Sequence, residues 1–145
     1  MQAGHGTDSS RSLGSPFTLR RVTRLVALAQ AGYYVVTGIW PLISMRTFER
    51  ITGPKVDRWL VRMVGILAAT IGGVLGVRAL DRDSRPDPLL GGVAALGFAA
   101  VDTRYATTGR ISKIYLADAL VELAIVAAWL AALRSRGIAH DTAPD

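Results

Sequence analysis

The stretch IYLADALVELAIVAAWL, residues 114–130, decides the fold. It is apolar on every side except for Asp118 and Glu122, which stand four residues apart. A helix on the surface of a soluble domain carries a whole polar face. Here the only polar groups are two acids on one face, a single turn apart. A bilayer core of ~30 Å is crossed by about 20 helical residues. The segment therefore reads as a membrane span over 114–133.

Three further apolar segments lie upstream, at 22–43, 59–78 and 88–105. The segment at 64–77 has no polar face at all, which disfavours a soluble bundle. The expected fold is all-α: an integral membrane four-helix bundle over 18–134. Residues 1–17 are expected to form a disordered N-terminal tail and 135–145 a flexible C-terminal one. Ala27-Leu28-Ala29 fits a signal-cleavage pattern, but the apolar run continues past it to Ile43, so a span is the better reading.

Composition closes several functions. There is no cysteine, and the two histidines, His5 and His140, lie in the tails. The core thus lacks thiolates and imidazoles for catalysis, haem ligation or soft-metal binding. Two carboxylates alone are too few for a dedicated hard-cation site. No cofactor, metal or catalytic residue is expected, and enzyme activity is disfavoured. The net charge of +6 is carried by residues flanking the spans, where anionic lipid headgroups attract them. Membrane lipids, not nucleic acid, are the expected partners. Basic residues divide almost evenly between the two sides, so the positive-inside rule decides little. The reading adopted is a multi-pass cell-membrane protein with both tails cytoplasmic.

Local signals mark the helix ends. Ser15-Pro16 suits the start of the first helix, and Asp87-Pro88 suits the cap and first position of another. Residues 44–62, SMRTFERITGPKVDRWLVR, place Phe48 and Ile51 among charges, as in a short helix lying in the interface. Gly53-Pro54 breaks it. Asp57 is expected to cap the next span, Lys55 and Arg58 to face headgroups, and Trp59 to anchor the end. Gly72 and Gly76 form a G-x-x-x-G that favours close helix packing, within the bundle ahead of between copies. A 56-residue shift aligns Thr52-Gly53 with Thr108-Gly109, Trp59 with Tyr115, Leu60 with Leu116 and Arg62 with Asp118, a weak internal repeat.

The two acids need an explanation. A carboxylate at the centre of a span costs about 2.5–3.5 kcal/mol, less towards an edge. Like charges one turn apart repel, so their roles should divide. Asp118 is expected to pair with Arg62, helped by Arg104 or Lys113. Glu122 lies deeper and is expected to be protonated or hydrogen-bonded, with Tyr34 or Tyr33 at matching depth. The candidate site is Arg62, Asp102, Arg104, Asp118, Glu122 and Tyr34, opening towards the first and third loops. An intramembrane acid is a functional candidate by default. The leading function is a polar pocket for a lipid-like or small organic molecule. A non-catalytic accessory or scaffold subunit, whose charges only fix packing, is the rival. Proton-coupled transport by an oligomer is a third reading, and a homo-oligomer or membrane-protein partner remains open.

The run Trp40-Pro41-Leu42, followed by TGPKVDRWLV at 52–61, resembles a group of small bacterial four-span membrane proteins sharing a TGPKxDxWLV motif. The helix count is also loosely similar to DoxX-like proteins. The resemblance implies an architecture and no activity.

Overall fold

The computed structural model describes residues 16–81 and 83–141, with side chains described from 20 to 134 apart from 82. The expected N-terminal tail, up to residue 15, lies outside the described residues. Five helices follow in order: α1 (Pro16–Ile43), α2 (Met45–Thr52), α3 (Arg58–Leu80), α4 (Pro88–Thr107) and α5 (Tyr115–Asp141). No strand occurs among the described residues. Three of the helices, over Arg20–Ile43, Arg58–Leu80 and Tyr115–Arg134, are long and apolar enough to cross a membrane. The segment expected as a further span is the helix α4, but it is not among those three. Its apolar run stops at Val101, before Asp102 and Arg104. Helix α5 continues to Asp141, past the expected end of its span.

The distribution of side chains is compatible with a bundle in a membrane. The interior is built from small residues, among them Ala27, Ala31, Ala68, Ala95, Ala99 and Ala119. Large aliphatics such as Leu25, Val36, Ile66, Val77, Val93 and Leu120 point outward and are more than half exposed. Lipid is as apolar as leucine, so a bundle in lipid gains by close backbone approach, not by sequestering bulk. The helices α1 and α3 show this approach best. A Cβ on Gly38 would lie 2.5 Å from the Gly65 carbonyl oxygen, and one on Gly65 2.4 Å from that of Gly38. One turn and more along, a Cβ on Gly72 would meet the Ala31 oxygen and Tyr34 Cβ at 2.9 Å. The G-x-x-x-G at Gly72 and Gly76 thus packs within the bundle.

The connections are capped locally. Asp87 accepts from the backbone N–H of Leu89 (2.9 Å) and Leu90 (3.4 Å), with Pro88 opening α4 as its fixed φ allows. Asp57 occupies the cap position of α3, yet its side chain accepts no capping bond; its main-chain carbonyl takes the N–H of Leu60 and Val61 instead. The expected interfacial helix is α2. Its Phe48 packs edge-on to Trp40 (5.6 Å), whose indole N–H donates to Thr47 Oγ1 (2.9 Å). This folds α2 back against the end of α1.

A closed polar node ties three helices near the other end. Trp129 Nε1 on α5 donates to Gln30 Oε1 on α1 (2.7 Å), and Gln30 Nε2 donates to the Gly91 carbonyl on α4 (2.9 Å). Gln30 and Trp129 are almost wholly buried. Gly91 is the residue that lets this node form, since a Cβ there would sit 2.5 Å from Trp129 Nε1 and 2.7 Å from Gln30 Oε1.

Candidate functional site

A cavity of about 830 Å³ lies at the opposite end, between α1, α3, α4 and α5. Its rim is formed by α2, the 53–57 turn and the 109–112 turn, the side expected for the polar cluster. The sequence forms each rim element for a local reason. Gly53, with φ +83°, makes the turn after α2. Gly109, with φ +71°, ends α4, where Arg110 N–H returns to the Tyr105 carbonyl (2.9 Å). The two turns meet, since a Cβ on Gly53 would lie 3.8 Å from Ser112 Cβ.

Three carboxyl groups line the floor: Asp102 from α4, and Asp118 and Glu122 from α5. Adjacent tyrosines on α1 serve two of them. Tyr34 Oη donates to Glu122 Oε2 (2.9 Å), and Tyr33 Oη donates to Asp118 Oδ1. Tyr34 is held in turn by an edge-on contact with Phe98 (5.4 Å) and by the close approach of Gly72. Glu122 is 2% exposed and Asp102 7%. Asp102 Oδ2 is buried and finds no donor among the described residues.

Four of the expected site residues therefore converge: Tyr34, Asp102, Asp118 and Glu122. The expected basic partners do not join them. Arg62 and Arg104 are exposed, do not line the cavity, and make no ion pair among the described residues. Lys113, offered as a further partner of Asp118, is exposed as well. The reason is helix rotation. Arg62 sits one turn into α3 much as Asp118 does in α5, but on an outward face. Positions aligned by the 56-residue shift thus occupy unlike environments. Glu122 is hydrogen-bonded, as expected, and Tyr34 is the partner.

The cations that do reach the cavity are Lys55 and Arg110, both on its rim turns. Lys55 is held there. Its Nζ donates to the Thr52 carbonyl (2.9 Å) and lies 4.6 Å from the centre of the Tyr115 ring. Burial lowers the Lys55 pKa from its ordinary value, an effect partly offset by Glu49. Arg58 does not stand free in the headgroup zone either. Its Nε and Nη2 each donate to Glu49 at 2.8 Å, and the Lys55 N–H reaches the same carboxylate (3.3 Å). The TGPKVDR segment is therefore a clasp around the cavity mouth. Tyr33, Lys55, Phe98 and Tyr115 also line the cavity and lie outside the six candidate residues read from the sequence. Tyr33 and Lys55 carried a signal, as a polar group inside a span and a charge beside a turn; the other two looked like ordinary packing residues.

Among the described residues, no three acidic, histidine or cysteine side chains converge so as to hold a metal ion. No family model, no curated protein and no solved structure matches this chain.

Proposed function

We propose that this protein is a four-span membrane protein that binds a lipid-like or small organic molecule in the cavity between its helices. The observation that carries the reading is Asp102: a buried side chain whose Oδ2 has no donor among the described residues, on a residue that lines a cavity of about 830 Å³. An unsatisfied buried polar group of this kind costs about 1–3 kcal/mol, more if charged. A purely structural cluster gains nothing from keeping both the cost and the space. The volume falls in the range of about 300–1,000 Å³ common for small-molecule sites.

Helix α4 serves as the fourth span in this reading. Its 20 residues reach about 30 Å at 1.5 Å each. Its acid, Asp102, is turned away from lipid, and Arg104 at its end can extend to the headgroups. Four spans put both tails on one side, taken as cytoplasmic, and the cavity mouth on the other. The resemblance around 52–61 fits this reading, because that motif builds the mouth.

Native mass spectrometry of protein released gently from its membrane tests the proposal, with Asp102→Asn as the control. Asparagine removes the charge and keeps the shape, so the variant should fold. A bound organic mass on the wild type that is weakened in the variant is the expected result. Equal, bare spectra from two equally stable proteins would remove the pocket and leave the scaffold reading.

A further inference from the structure

Resting on the pocket reading above, we infer that the ligand presents an ammonium group to Asp102 and Asp118, making this an intramembrane site for a hydrophobic amine. Donor and acceptor supply lead to this class. The floor has three carboxyl groups, and the lining side chains that donate to them are two tyrosine hydroxyls. Those hydroxyls satisfy Asp118 Oδ1 and Glu122 Oε2. Asp102 Oδ2, on a side chain more than nine-tenths buried, is left without a donor. Asp102 and Asp118 line the same cavity, and the basic side chains that also line it, Lys55 and Arg110, lie on its rim turns. The carboxyl pair repels when ionised. An N–H-rich cation placed against it supplies the missing donor and the missing charge together, and charge-assisted bonds of this kind are the strong ones.

The walls favour the same ligand. Tyr33, Tyr34, Phe98 and Tyr115 all face the space. Aromatic faces attract organic cations, the more so when water is excluded. A carboxylate or phosphate ligand would meet acids at the floor. The cations near the space, Lys55 and Arg110, lie on the rim turns, and Lys55 is committed to the Thr52 carbonyl and the Tyr115 ring. They disfavour a dication. The ligand expected is therefore a monoamine with its ammonium inward and an apolar or anionic end at the mouth.

Three probes of matched shape separate charge from size: phenethylamine, phenethyl alcohol and hydrocinnamate. Binding to the full-length protein would be measured in phosphatidylcholine nanodiscs at neutral pH, with empty discs subtracted. Phenethylamine should bind at least about tenfold more tightly than either analogue. Asp102→Asn, which removes one of the two charges, should reduce that preference several-fold while the protein stays folded. Equal affinities, or preference for hydrocinnamate, would overturn the amine assignment and leave the pocket standing. A preference undiminished by Asp102→Asn would also overturn it, since the charge would then be read elsewhere. If none of the three binds, and the wild type carries no organic mass in native spectra, the amine and the pocket fall together. The selectivity of the wild type is informative by itself should the variant prove unstable.

Discussion

The two polar regions inside this bundle are built on opposite principles. The Gln30–Trp129–Gly91 node is closed: both Gln30 side-chain polar atoms are bonded, the indole N–H is used, and even a methyl group at Gly91 would collide with it. The acidic region is open: three carboxyl groups, two donors, a buried oxygen without a partner, and space beside it. A membrane bundle can afford a polar group for either purpose. Complete satisfaction marks the group that holds helices together, because nothing is left over for a ligand. Under the proposed function, incomplete satisfaction beside a cavity marks the group that a ligand would complete.

That contrast can be broken by mutation. The largest loss should come from Gly91→Val, which drives a branched side chain into Trp129 and Gln30. Overpacking and lost hydrogen bonds together predict destabilisation by about 2–4 kcal/mol in a detergent unfolding titration. Trp129→Phe comes next. It keeps a ring but removes the N–H, stranding Gln30 Oε1, and should cost about 1–2 kcal/mol by the same titration. Asp102→Asn should change stability by less than about 1 kcal/mol, or raise it, because it relieves an unsatisfied carboxylate. A collapse of Asp102→Asn alongside a harmless Gly91→Val would reverse the assignment of the two regions.

The smallest effect belongs to the clasp. The Arg58 hydrogen bonds hold the Glu49 carboxyl below its ordinary value of 4.5. A depressed folded-state value means that Glu49 stabilises the fold above its unfolded pKa. This contribution fades as pH falls through the folded value, so Glu49→Gln should flatten a slight acid loss of stability below about pH 4.5. The pair is exposed on the Arg58 side, and salt should shrink the effect further. A thermal-melt series across pH, run on wild type and variant, would show whether the two curves converge in acid as they should.

Much of this was legible in the sequence where local chemistry decides. The apolar lengths placed the long helices, the Phe48 and Ile51 pattern placed α2, and Asp87-Pro88 opened α4 where expected. The spacing of Asp118 and Glu122 put two acids on one face, and depth matched Glu122 to Tyr34. What could not be read was rotation. Helix α3 has no polar face, and its inward side is marked only by small residues such as Gly65, Ala68 and Gly72. Depth alone pairs Arg62 with Asp118, whereas Arg62 points outward. The Gln30–Trp129 bond joins residues 99 apart, with no pattern to link them. Lys55 was read as a headgroup contact because its reach back to Thr52 and Tyr115 depends on the turn at Gly53.

The most direct test of the contrast is a crossed experiment on two variants, Asp102→Asn and Trp129→Phe, each assayed for stability and for bound organic mass by native mass spectrometry. The contrast predicts an exchange: Asp102→Asn keeps its stability and weakens retention of the bound mass, while Trp129→Phe keeps the bound mass and loses stability. Loss of stability in Asp102→Asn, with no bound mass on the wild type, would contradict it and make the acidic region a second packing node.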